Sequence, residues 1–137
     1  MVDDASSGSR PESERLARRL FALFQQGERA KMLELVHPEV EWVLMTIRPG
    51  KVLRGRAEVE AFLDEISDEF VELVAEECTP LDDERVVVEG RRRWIDEERV
   101  LRDDPMILAM RFRDGLLWRS TPAQSVVEAE AILSAGE

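Results

Sequence analysis

The spacing of the apolar residues changes along the chain, and that change decides the architecture. Leu16, Leu20, Leu23 and Phe24 recur at the spacing of one helix face, with Glu14, Arg15, Arg18 and Arg19 on the other side. Phe21 widens the stripe, so this helix packs on more than one neighbour. Ser9 and Glu12 have the spacing of a capping box, Pro11 suits a first turn, and Gly27 supplies a C-terminal stop. A shorter helix carrying Met32, Leu33, Leu35 and Val36 follows, with His37-Pro38 as its predicted end, because proline disfavours helical backbone in the preceding residue.

From Val40 the period becomes two: Val40, Trp42 and Leu44 share one face, Glu41 and Val43 the other. A turn at Arg48-Pro49-Gly50 and a short strand at Val52 and Leu53 lead to a third helix entered at Gly55, lined by Val59, Phe62, Leu63 and Ile66. Strands are then expected over 70–79, 85–95, 106–113 and 116–121, with Asp114-Gly115 as the strongest hairpin signal, before a closing helix from Ser125 to Leu133. The order predicts an α+β fold with the helices segregated on one face of a curved antiparallel sheet.

A chain of 137 residues makes one domain, here 10–137, behind a small, polar and acidic tail at 1–9 that is expected to be flexible. At 44% hydrophobic residues it can bury a real core. The charge balance, 19 Lys+Arg against 30 Asp+Glu, gives −11. That argues against nucleic acid and anionic membranes as partners, since affinity for phosphate rests on Lys and Arg. A lone Cys78 and a lone His37 allow neither an internal disulfide nor a Cys/His zinc site, and no acidic run has metal-ligand spacing, so no metal and no cofactor is expected. The first residues lack the basic and apolar regions of a signal peptide and no stretch of 18 apolar residues exists, which predicts a cytoplasmic protein.

Four motifs in order carry a resemblance: Leu20-Phe21-Ala22-Leu23 before Gly27-Glu28; Leu35-Val36-His37-Pro38-Glu39-Val40-Glu41-Trp42; Arg54-Gly55-Arg56-Ala57-Glu58-Val59; and Phe112-Arg113-Asp114-Gly115. From about residue 12 to 134 the chain resembles the SnoaL-like branch of the nuclear-transport-factor-2-like superfamily, the ketosteroid isomerase-like or cystatin-like cone. The resemblance implies three N-terminal helices on a strongly curved, mainly antiparallel sheet with a short C-terminal helix. It also implies a homodimer through the outer sheet face, where Arg111, Arg113 and Arg119 alternate with apolar residues. The scaffold hosts several chemistries, so function has to be argued from the site.

Aligned by motif with the ketosteroid isomerases, the tyrosine slot falls on Leu20, the base slot on Leu44 and the acid-donor slot on Leu108 or Ala109, and the chain has no tyrosine. The polyketide cyclases of the family use a His/Asp pair, whereas His37 reads as the end of the second helix, where an imidazolium meets the helix dipole. The aspartate of the limonene-type epoxide hydrolases falls on Ser120 or Pro122. No catalytic residue is therefore predicted. Strand parity sets Arg92 beside Val86, Val88 and Trp94, where it could grip a ligand carboxylate or phosphate. The plainer reading has Arg91-Arg92-Arg93 at an exposed strand end, paired with Glu89, Glu97 or Glu98. Cys78 reads as a small half-buried hydrophobe, Asp96-Glu97-Glu98 as a hairpin tip, and Asp103-Asp104-Pro105 as the lead-in to a strand.

Leu20, Phe24, Trp42, Leu44, Phe62, Val88, Leu108, Met110, Phe112 and Trp118 are expected between helices and sheet, with Ser120 on the face of Trp118. With Arg92 these are the pocket candidates, either lining a small-molecule site or filling the cone as an ordinary core. The leading functional expectation is a module that binds a small apolar molecule. The alternatives are an enzyme of isomerase, cyclase or hydrolase type with a non-standard site, and a dimeric protein-interaction domain.

Overall fold

The structure, a computed structural model, describes residues 11–45 and 49–135. The N-terminal tail, Ser9 of the expected capping box and Arg48 lie outside the described residues. Helix α1 (Glu12–Gln25) and the short α2 (Arg29–Leu33) lead into β1 (Val36–Val43), β2 (Val52–Arg54) and α3 (Arg56–Glu65). Four strands follow, β3 (Val71–Pro80), β4 (Arg85–Ile95), β5 (Leu101–Arg113) and β6 (Leu116–Pro122), and α4 (Val126–Ala135) closes the chain. The strands form one curved, unclosed sheet in the order β2-β1-β6-β5-β4-β3, antiparallel except where β1 meets β6.

Local chemistry explains most boundaries. Asp114 and Gly115 both have positive φ, 57° and 76°, the backbone a tight two-residue hairpin needs. Ser125 Oγ accepts from the Glu128 N–H at 3.1 Å, and Glu128 Oε1 accepts from the Gln124 N–H at 2.6 Å, which caps α4. At the start of α1 the cap comes from far along the chain: Asp83 Oδ1 accepts from the Glu12 N–H at 3.1 Å, and the buried Ser13 hydroxyl donates to the Asp82 carbonyl at 2.6 Å. The third quoted motif is structural. Arg56 donates to the Val36 carbonyl through both Nε (3.0 Å) and Nη2 (2.7 Å), and Glu58 Oε1 accepts from the Arg54 N–H at 2.7 Å.

Three sequence expectations are corrected. The second helix stops at Leu33, and His37-Pro38 lies within β1. The β1–β6 register shifts between Val36 and Glu41, so Pro38, which has no N–H to give, sits where the ladder is already interrupted. His37 therefore caps no helix: its Nδ1 accepts from the Glu39 N–H at 2.9 Å. Strand β5 starts at Leu101, so Asp103-Asp104-Pro105 is inside it. Proline is tolerated there because pairing with β6 begins only at Leu108. Finally, α4 packs on the sheet face opposite the other helices, over Val87 and Ala109, whereas Val86, Val88, Leu108 and Met110 belong to the core beneath the N-terminal helices.

The main core is continuous from α1 and α3 to all six strands. Edge strand β3 is managed in two ways. Its register with β4 shifts between Ala75 and Glu77, opposite Gly90, and a Cβ on Gly90 would lie 1.8 Å from the Val74 carbonyl oxygen. The Gln25 side chain reaches over from α1 to accept from the Leu73 N–H at 3.1 Å, which uses up a donor that the edge would otherwise present.

Candidate functional site

Inside the cone lies a hollow of about 50 Å³, room for three or four waters by volume. Leu20 and Phe24 reach it from α1, Phe62 from α3, and Trp42 and Leu44 from β1 and the residue after it. Leu108 and Met110 from β5 and Ser120 from β6 complete the predicted set that meets there. The three positions aligned with the isomerase machinery converge on this wall as Leu20, Leu44 and Leu108, while Ala109 faces α4 on the other side. Among the described residues, Ser120 is the one hydroxyl on the wall, and no Asp, Glu, His, Lys or Arg lines it. Ser120 pairs with Trp42 on one side and Met110 on the other, which fixes the hydroxyl in the middle of the sheet floor.

Four predicted pocket residues are elsewhere. Val88 and Phe112 are fully buried in the same core without touching the hollow. Trp118 is on the opposite face. The β5–β6 register shifts between Arg111 and Phe112, so Phe112 pairs with Leu117 and Arg111 with Arg119, leaving Trp118 as the extra residue of a bulge. Leu117 and Ser120 both turn inward as a result, two residues outward between them, and strict alternation fails. The Trp118 ring instead lies between the guanidiniums of Arg113 and Arg119, at 3.5 Å and 3.9 Å from its centroid. Arg92 stops short of the wall and donates to the carbonyl of Met45, a wall residue, with its guanidinium 5.3 Å from the Trp94 ring centroid. Its Nη1 thus holds the backbone of a wall residue, while its buried Nε has no hydrogen-bond partner among the described residues.

The flanking arginines have other partners than Glu89, Glu97 and Glu98: Arg91 pairs with Asp103 at 2.8 Å and Arg93 with Glu72 at 2.8 Å. Strand pairing explains this, since β5 brings Asp103 opposite Arg93 and β3 brings Glu72 opposite it on the other side. On the outer face Arg85 and Arg111 both donate to the Leu133 carbonyl, at 3.2 Å and 3.4 Å, and hold the last turn of α4. Part of the outer face around Arg111 is thus occupied by the chain's own helix. Cys78 is buried in the main core, more deeply than expected, and burial pushes its thiol pKa up, which suppresses the thiolate. At the hairpin tip Asp96 accepts from the Val100 N–H, which first among its contacts, ahead of Arg102, holds its carboxyl below the usual range.

Wall residues missed in sequence are Phe21, Met32, Met45, Leu63, Ile66, Val71, Leu73 and Leu117. The doubled stripe of α1 signals Phe21, and the α3 face contains Leu63 and Ile66. Val71 and Leu73 have inward parity only on the near side of the β3 bulge, and Leu117 only because of the β6 bulge, neither of which is written in a periodic pattern.

Three helices folded over a curved sheet around an apolar hollow define a cone of the nuclear-transport-factor-2-like kind. The model of the SnoaL-like domain matches residues 17–120, and the chain belongs to that family. Among solved structures it is similar to an NTF2-like protein of unknown function from Burkholderia pseudomallei (20% identity, TM-score 0.72, 92% of this chain and 100% of that one). It is also similar to Rv0760c from Mycobacterium tuberculosis, determined in complex with estradiol-17β-hemisuccinate (15% identity, TM-score 0.72, 86% of this chain and 97% of that one). A third is a putative polyketide cyclase from Xanthomonas campestris pv. campestris (23% identity, TM-score 0.68, 88% of this chain and 95% of that one). A search of curated protein sequences finds no match. Among the described residues, no helix is long and apolar enough to cross a membrane.

Proposed function

We propose that this SnoaL-like domain binds a small, uncharged, largely apolar molecule inside the cone. The observation that carries the reading is the composition of the wall: apolar side chains from three helices and four strands around a single hydroxyl, Ser120. Apolar pockets with few polar groups are the usual small-molecule sites, and Ser120 would orient one polar atom of the guest. A charged group would meet no partner on the described wall and would bear the full cost of leaving water.

At about 50 Å³ the hollow is smaller than such a guest, so binding requires the wall to yield. Met32, Met45 and Met110 line it, and the unbranched, flexible methionine side chain repacks more readily than a ring or a β-branched residue. The estradiol derivative bound by Rv0760c supports the reading as a property of a protein with the same fold. Native mass spectrometry of protein purified from its own cell tests it. The expected spectrum shows one organic molecule per chain, released by mild activation. A bare chain that also takes up no apolar compound in titration contradicts the reading.

A further inference from the structure

Among the described residues, Ile66 is the one that borders the inner hollow and two separate hollows on the surface. One of these, about 550 Å³, lies between the end of α3 and the β4–β5 turn, with Glu69 and Trp94 on its rim. The other, about 130 Å³, lies between Gly27, Arg29 and the end of α3, again with Glu69 on its rim. Phe24, Leu63, Ile66 and Val71 line both that second hollow and the interior, so a single layer of side chains separates inside from outside over this part of the cone. Only Ile66 also borders the first.

Its backbone setting differs from that of its neighbours on the wall. Phe62 and Leu63 are held within α3, and the Leu63 carbonyl accepts from Arg29 at 3.3 Å. Val71 is held in β3. Ile66 is the first residue past the helix, at φ −93° and ψ 9°; its N–H donates to the Phe62 carbonyl at 3.0 Å and its carbonyl accepts from the Glu69 N–H at 2.9 Å, while Asp64, Glu65, Ser67, Asp68, Glu69 and Phe70 around it are all exposed. It is the only residue of that turn that is buried, at 7% exposure. A branched side chain anchored on an exposed turn, with hollows behind it on two sides, has space to rotate into without displacing the core.

We infer that Ile66 is the gate of the cone: a guest passes at the end of α3, and the bulk of residue 66 sets how fast and how large. The inference rests on the proposed binding of an apolar molecule. It assigns to Ile66 the rate of passage, whereas a residue that only contacts the bound guest would set the dissociation rate alone.

The test is stopped-flow binding of N-phenyl-1-naphthylamine, an uncharged apolar fluorophore, to the wild type, Ile66→Ala and Ile66→Trp, with circular dichroism and Tm recorded for each. For Ile66→Ala the association rate constant should rise by about tenfold, and for Ile66→Trp it should fall. If the alanine variant proves poorly folded, Ile66→Val and Ile66→Trp bracket the same dependence. Binding by the wild type with association rates unchanged across the variants overturns the gate and leaves the binding reading standing. Absence of binding in the wild type and in Ile66→Ala alike overturns both.

Discussion

The two faces of the central strands differ although their residues alternate one by one. On the concave face Val86, Val88, Leu108 and Met110 enter a core built by three helices and every strand, and that core leaves a hollow. On the convex face Val87 and Ala109 meet Ala129 and Leu133 of α4 in a small cluster, flanked by arginines that pair with Asp82 and Asp103 or cap the helix. Ala109 and Ala129 let helix and sheet approach closely, beside an outer hollow of about 340 Å³ bordered by Arg111, Trp118 and Ile132. The concave wall has large rings converging from different elements, which close-pack less completely. The apolar hollow between helices and sheet therefore lies on the concave face, and α4 packs on the other.

The largest expected effect comes from emptying each face in turn. Phe112→Ala, in the concave core but clear of the hollow, should cost about 3–5 kcal/mol, and Leu133→Ala under α4 about 2–3 kcal/mol, both from urea unfolding. Equal losses would break the comparison. Next is Gly90→Ala, where the new Cβ would press on the Val74 carbonyl; a loss of about 2 kcal/mol is expected, because backbone at a bulge cannot move aside like a flexible side chain. On the charged side, Arg91→Ala should change stability by less than about 1 kcal/mol, since Arg91 and Asp103 are both half exposed and solvent screens the pair.

The smallest effect is a pH dependence. The Asp82 carboxyl is held below its ordinary pKa, first by the side-chain hydrogen bond from Arg85, then by the N–H groups of Glu84 and Arg85. A lowered folded-state pKa contributes stability above the unfolded value near 3.9 and loses it as pH falls through the folded one. Asp82→Asn should therefore be slightly less stable than the wild type at neutral pH, and the gap should close on acidification below about pH 4. A gap that persists at low pH would mean that the loop is held by something other than this charge.

Sequence spacing alone locates the six strands, α1, α3 and α4, and the resemblance supplies their arrangement. Strand β4 is expected at 85–95 and runs from Arg85 to Ile95. Several of the failures share one cause. Trp118, the inward Leu117 and the inward pair Val71 and Leu73 all depend on bulges, and a bulge shifts parity by one residue without leaving a pattern in the residues themselves. His37-Pro38 misled in the same manner, since a proline that interrupts a ladder reads like one that ends a helix. Ser120 apart, the predicted pocket residues that do line the hollow come from helix faces or from strand stretches whose parity no bulge has shifted.

One titration tests the central claim most directly. Ser120 is 1% exposed on the floor of the hollow, and Ser120→Leu would put an apolar branch into that space. N-phenyl-1-naphthylamine fluorescence is measured against protein concentration for the wild type and the variant, with Tm as the check on folding. The wild type should bind, and Ser120→Leu should retain its Tm within a few degrees and lose binding by about tenfold or more. A folded Ser120→Leu that binds the fluorophore as the wild type does would place the guest outside the cone and contradict the account.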